Sequence, residues 1–303
     1  MEYLTDQENK YYSKLKDTSF NNLVVSSGGM NGIICVGALN FLHSIKKLDT
    51  INNYIGCSAG SIITLMLLIG YNPFEINQIL MDINAKEDFM NIDVFRLIKE
   101  FGIFDNNIIK KTFEKIITDK LGFIPTMKEL YEITNKTWTA VIVNYNDINV
   151  VYANYKTHPD ELCSDIAAAS CCIPIIFTPI KIKSSLCVDG GIFDPFPVGY
   201  TNDNLEGNTL GVVLLDKKQQ NLNIFNFITK LLFFTTTIKK NKVYEYYVSC
   251  PRTCIINLTY VDRGLNFNLT STEKAIMFNE GDIQIRKKYK IHSTNSNITN
   301  TND

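Results

Sequence analysis

The sequence has no long apolar run. No stretch reaches the roughly 20 residues that span a bilayer. Residues 62–70 are apolar but short, as in a buried helix, and residues 224–234 are interrupted on one side by Asn226, Thr229 and Lys230, as in an amphipathic helix. The first 17 residues are polar and charged with no apolar segment among them, which argues against a secretory signal. An excess of charge is missing too. With 30 Lys and Arg against 31 Asp and Glu, the formal net charge is -1 and the pI about 6.3, so nothing electrostatic asks for nucleic acid as a partner. Histidine is scarce: three in 303 residues, at His43, His158 and His292. Cys250 and Cys254 have the spacing of half a zinc site, but no second half follows, so no metal or other cofactor is expected.

What is present describes an ordinary globular chain, 45% hydrophobic and 20% charged, long enough for one large core. Of its eight cysteines, Cys35, Cys57, Cys171, Cys172 and Cys187 lie in apolar surroundings, as reduced core thiols of a cytoplasmic protein do. Short buried strands are expected at 22–25, 51–55, 186–188, 210–215 and 254–258, with a hairpin pair at 138–143 and 149–152. Helices are expected at 33–48, after residue 58, over 73–122, at 163–170 and over 222–248. Asp105 is a candidate N-cap, Gly122 a candidate stop, and Thr126–Glu129 and Thr270–Glu273 have capping-box spacing, the second opening a last helix to about Tyr289. Strands alternating with helices predict an α/β fold, a mostly parallel sheet covered by helices. We expect a polar N-terminal arm over residues 1–20, a single domain over 21–292, and a disordered tail of Asn, Thr and Ser over 293–303.

Gly56-Cys57-Ser58-Ala59-Gly60 joins an apolar strand to an apolar helix, the setting in which G-x-S-x-G marks a nucleophilic serine on a sharp turn. The flanking glycines let strand and helix approach, and the helix aims its N–H groups at the place where an oxyanion would form. Earlier, Gly28-Gly29 follows the first strand and precedes a helix, so its amides can face an anion. A dinucleotide phosphate turn would use glycines at the same place, though the full G-x-G-x-x-G spacing is missing.

For the base, His43 falls within a helix, His158 in a polar loop, and His292 beside the tail. The order Ser58, Asp189, His292 fits a histidine triad on paper, but the edge of a loose tail holds an imidazole poorly. Asp189 ends an apolar strand and precedes Gly190-Gly191. It can act as base on a serine directly if burial keeps it basic, or it can be a plain Asp-Gly turn.

These motifs, Ser27-Gly28-Gly29-Met30-Asn31-Gly32, Gly56-Cys57-Ser58-Ala59-Gly60 and Asp189-Gly190-Gly191, in this order, closely resemble the patatin-like phospholipase family. Residues 169–174 and 193–198 resemble the stretches on either side of that family's aspartate, and the similarity is good over about 21–200. The resemblance implies a patatin-like three-layer helix–sheet–helix fold. It also implies a Ser58–Asp189 dyad that hydrolyses fatty acyl esters without histidine or metal, with Gly28 and Gly29 as oxyanion donors and Gly32, Gly56, Gly60, Gly190 and Gly191 as supporting motif residues. Phospholipid or acylglycerol would be the substrate, met by a cytoplasmic protein through peripheral membrane contact. Ser27 stands where the family usually has the first of three glycines, and Asn31 where it usually has Arg or Lys. Those two departures motivate a second class of reading, a non-catalytic lipid-binding or regulatory protein on the same fold.

Overall fold

A computed structural model describes residues 14–83, 94–217, 224–261 and 269–298. In chain order the elements are β1 (Asn22–Val25), α1 (Gly32–Ser44), β2 (Asn53–Cys57), α2 (Ala59–Leu68), α3 (Pro73–Asp82), α4 (Val94–Glu100), β3 (Gly102–Phe104), α5 (Asn107–Leu121), α6 (Met127–Thr134), β4 (Thr137–Asn144), β5 (Asn149–Ala153), α7 (Cys163–Cys171), β6 (Ile175–Phe177), β7 (Ile180–Ile182), β8 (Ser185–Asp189), α8 (Val198–Asn204), β9 (Thr209–Lys217), α9 (Ile224–Tyr247), β10 (Thr253–Val261) and α10 (Ser271–Ile298). Short 3-10 turns occupy Gly29–Asn31 and Gly190–Ile192.

The strands form an eight-stranded sheet in the order β10-β9-β1-β2-β4-β8-β7, with β5 also paired to β4. From β10 to β4 every pairing is parallel, and the antiparallel pairs are β4–β5, β4–β8 and β7–β8. Helices flank this sheet, which is why β1, Asn-Leu-Val-Val, is buried at every position: a strand covered on both faces has no solvent side to alternate toward.

The register on β4 brings distant residues together. β5 pairs with residues 140–144 of β4 and so fills one edge of that strand. A strand has only two edges, so β2, paired with 137–141, and β8, paired with 142–144, must share the other. They meet head to head: Cys57 lies opposite Val141 and Asp189 opposite Ile142. The C-terminal ends of two strands far apart in sequence therefore abut.

Local chemistry sets the helix ends. Thr126 and Glu129 form the expected capping box, as do Thr270 and Glu273, and Asn72 with Glu75 forms another behind Pro73. Gly122 closes α5 in the left-handed conformation. Asp105 is not the N-cap of α5. That position is Asn106, whose amide donates to the carbonyls of Thr178 and Pro179, while Asp105 accepts from the Asn107 N–H. The stretch 73–122, expected to be helical, is broken at β3, which pairs with β6 in a separate two-stranded sheet.

Both domain edges differ from expectation. Residues 14–17 form a helical turn, and Leu15 and Phe20 are buried in the core, so the packed unit begins inside the stretch read as an arm. At the other end α10 runs to Ile298, so residues 293–298 are helical where a disordered tail was expected. Once Met277, Phe278 and Ile285 dock this helix in the core, each added turn costs little, because nucleation is already done. Residues 299–303 lie outside the described residues. Apolar α2 is a buried helix of the core, with Ile62, Ile63, Leu65, Met66 and Leu68 all buried.

Candidate active site

Ser58 sits at the apex between β2 and α2 with φ 53° and ψ -127°, a left-handed backbone that L-residues avoid. Close packing around it explains why the residue accepts this. A Cβ on Gly60 would overlap the carbonyl of Val25, and one on Gly56 would overlap that of Gly60, so α2 lies against β1 and β2 at backbone distance. The turn is then fixed by hydrogen bonds. The Ser58 carbonyl accepts from the Ser61 N–H at 2.8 Å and from Ser61 Oγ at 2.7 Å. The Ser58 N–H donates to Ser170 Oγ at 3.0 Å, and Ser170 in turn donates to the carbonyl of Val141 at 2.8 Å. The single tryptophan, Trp138, donates its indole N–H to the Ser61 carbonyl at 3.1 Å and so ties α2 to β4.

Asp189 ends β8, its N–H bonded to the carbonyl of Cys172 at 2.9 Å. Gly190 lies flat against the Val141 carbonyl, with no room for a side chain. The carboxylate accepts from Ser58 Oγ on Oδ2 at 2.6 Å and from the Gly191 N–H on Oδ1 at 2.7 Å. The structure thus brings Ser58 and Asp189, 131 positions apart, into direct hydrogen-bond contact. Burial pushes the Asp189 carboxyl up from 3.8 to about 6, against the lowering effect of the Ser58 and Gly191 hydrogen bonds. A carboxylate so placed is a stronger base than one in water.

Gly28 and Gly29 stand at the end of β1, Gly29 with φ 51°. Among the described residues neither amide has a hydrogen-bond acceptor, whereas the neighbouring Ser27 and Asn31 amides are bonded to the carbonyls of Pro195 and Gly28. Gly32, which opens α1, packs against Ala59 beside the serine. The two residues that depart from the family pattern, Ser27 and Asn31, are both buried.

Neither His43 nor His158 is bonded to Ser58 or Asp189. His43 is exposed near the end of α1, and His158 contacts Thr157 Oγ1 at 3.0 Å, with burial lowering its pKa. His292 falls on α10, and its side chain lies outside the described residues. In a histidine triad the aspartate bonds the imidazole. Here both carboxylate oxygens of Asp189 are engaged, one by the serine itself.

The eight cysteines are free thiols, and burial raises Cys35 and Cys254 to about 12, which leaves them unreactive. Among the described residues no three His, Cys, Asp or Glu side chains gather as metal ligands would, and no helix is long and apolar enough to cross a membrane. Open cavities of about 360 and 300 Å³ lie beside Phe101 and beside Tyr152, and neither is lined by Ser58 or Asp189. The pair is covered, at 5% and 2% exposure.

Three polar residues at the site carry no motif signal. Ser170 falls at the end of the helix expected over 163–170 and within the segment that resembles the family, and neither reading gave its side chain a role. Thr236 donates to the Gly191 carbonyl at 3.0 Å and Lys240 approaches the Ser27 carbonyl at 3.5 Å; both come from α9.

Comparison with known proteins identifies the family and the fold. The patatin-like phospholipase family matches residues 23–201. A probable lipid hydrolase, 463L of Invertebrate iridescent virus 6, is 30% identical over 291 residues, covering 92% of this chain and 93% of its own length. An uncharacterized protein, R571 of Acanthamoeba polyphaga mimivirus, is 25% identical over 300 residues, covering 93% and 97%. Among solved structures, VipD of Legionella pneumophila aligns with TM-score 0.60 at 14% identity, over 90% of this chain and 67% of that one. The type III effector ExoU of Pseudomonas aeruginosa aligns with TM-score 0.51 at 14% identity, over 91% and 54%. Their likeness is one of fold. From its ordered motifs, its sheet and its matched residues, the chain belongs to the patatin-like phospholipase family.

Proposed function

We propose that the protein is a lipid acyl hydrolase of the phospholipase A or esterase type, working through a Ser58–Asp189 dyad and an acyl-enzyme. The observation that carries this reading is the 2.6 Å contact from Ser58 Oγ to Asp189 Oδ2 inside a buried, water-poor site. The family and the viral relative named a probable lipid hydrolase support the substrate class.

Ser58 Oγ adds to the ester carbonyl carbon as its proton passes to Asp189. The carbonyl oxygen becomes an oxyanion, accepting from the Gly28 and Gly29 amides, which carry their donors already in place. Collapse of the tetrahedral intermediate breaks the ester C–O bond, and the proton on Asp189 goes to the departing alkoxide. Water then attacks the acyl-Ser58, Asp189 takes its proton, and a fatty acid leaves as that proton returns to Ser58. An Asp189 carboxyl near 6 is ionised at neutral pH yet basic enough to serve. Such a substrate is presented at a lipid surface, so the reading includes peripheral membrane contact by a cytoplasmic protein.

The test is product analysis on mixed phospholipid vesicles and on triacylglycerol emulsions, with the wild type, Ser58→Ala and Asp189→Ala. Fatty acid release by the wild type alone is the expected result, and its head-group and positional preference identifies the lipid. Vesicle binding by all three with no release by any indicates a lipid-binding protein instead.

A further inference from the structure

Helix α9 reaches the site from outside the segment that carries the motifs. Its amphipathic sense is inverted at one place. Phe234 and Ile238 are exposed, at 63% and 41%, while Thr236 and Lys240, one turn apart, are each only 4% exposed. Buried polar groups on a helix that leaves apolar ones in water need a reason of their own. Each of the two reaches a loop carbonyl. Thr236 Oγ1 donates to the Gly191 carbonyl at 3.0 Å, and Lys240 Nζ donates to the Ser27 carbonyl at 3.5 Å. Those loops flank the Ser58–Asp189 contact: the Gly191 N–H holds Asp189 Oδ1, and Ser27 leads into Gly28-Gly29.

We propose that Thr236 and Lys240 are positioning residues that brace the active site from behind, Thr236 fixing the Asp189 turn and Lys240 the oxyanion loop, so that one helix sets the spacing between base and oxyanion donors. This rests on the proposed roles of Ser58, Asp189, Gly28 and Gly29. Thr236 acts through Gly191: with its carbonyl held, the Gly191 N–H stays aimed at the carboxylate. Lys240 acts by contact and by charge, and its positive field is felt at Cys57, next to the serine. A cation behind the loop favours the negative tetrahedral intermediate over the neutral ester. Other titratable groups facing the carboxylate are the Cys57, Cys171 and Cys172 thiols, which burial keeps neutral. Asp189 is therefore the group among these whose titration an acid limb would report.

The experiment is the second-order rate of Ser58 labelling by a fluorophosphonate from pH 5 to 9, on the full chain, for the wild type, Thr236→Val, Thr236→Ser, Lys240→Met and Lys240→Arg, with a thermal melt for each. Losing the Thr236 donor is expected to slow labelling about tenfold, the scale of one hydrogen bond, and to move the acid limb to higher pH. Thr236→Ser keeps the hydroxyl and is expected to restore both. Lys240→Met is expected to slow labelling across the pH range by a similar factor, with Lys240→Arg recovering part of it. Wild-type rates and an unmoved acid limb in Thr236→Val and Lys240→Met overturn the proposal. So does slowing that appears equally in the Ser and Arg variants and tracks only a lowered melting temperature. If Lys240→Met does not fold, the Thr236 pair and Lys240→Arg decide. Failure of the wild type to label at Ser58 is a separate outcome, which sinks the hydrolase reading and this inference with it.

Discussion

Ser58 and Asp189 stand at two ends of one short hydrogen bond, and the fold pins them by different means. The serine side is a parallel strand–turn–helix unit in the middle of the sheet, where the unfavourable element is backbone: φ 53° at a non-glycine residue. On the aspartate side are an antiparallel strand and a 3-10 turn, with an ordinary backbone of φ -52° and ψ 126°. There the unfavourable element is charge, a carboxylate 2% exposed whose pKa burial has lifted to about 6. One half holds the serine hydroxyl out by conformation, and the other raises the basicity of the carboxylate by excluding water. Neither arrangement is favourable alone, and the core packed around β1, β2 and β4 sustains both.

The contrast can be broken at either end. Removing either partner should have the largest effect: Ser58→Ala and Asp189→Ala are each expected to lower kcat/KM for a short-chain aryl ester by about 10⁴-fold or more. A variant retaining a tenth of wild-type turnover would remove its residue from the dyad. Next comes the charge. Because the folded protein holds the Asp189 proton more tightly than the unfolded chain, this group's stabilising contribution is complete below pH 4 and lost as pH rises through about 6, a change of about 3 kcal/mol. Denaturant unfolding of the wild type against Asp189→Asn should show the stability difference moving against the wild type by that order between pH 4 and 7.5. Activity should fall on the acid side as pH drops through about 6.

The backbone end gives a smaller effect. Ser58→Gly should be about 1–3 kcal/mol more stable than Ser58→Ala, since only glycine relaxes the positive φ. Equal melting temperatures would mean that the turn is not strained. Smallest is the link between the halves: Ser170→Ala removes the hydroxyl that joins the Ser58 N–H to the Val141 carbonyl, for a loss of about 1–2 kcal/mol in urea unfolding.

Much of this was legible in the chain, for local reasons. The strands at 22–25 and 210–215, the hairpin at 138–152 and the capping boxes at Thr126 and Thr270 each announce themselves within a few residues. β3, β6 and β7 did not, because a three-residue strand is too short to show a period. The docking of α10, which carries helix past Tyr289, depends on core contacts made far from the Asn- and Thr-rich end. At the site, the motifs named Ser58, Asp189, Gly28 and Gly29, yet nothing local says that β2 and β8 share one edge of β4, which is what makes them neighbours. Ser170, Thr236 and Lys240 were missed for a related reason. Their partners lie 112, 45 and 213 positions away, and a lone hydroxyl or ammonium in a helix has no spacing to betray it.

The account turns on Asp189 activating Ser58 with no imidazole between them. Its most direct test is peptide mapping by mass spectrometry after fluorophosphonate treatment of the wild type and of a variant with His43, His158 and His292 all replaced by alanine. A single phosphonyl adduct on Ser58 in both proteins, formed at similar rates, is the predicted result. An adduct on another residue, or one that disappears with the histidines, would contradict it.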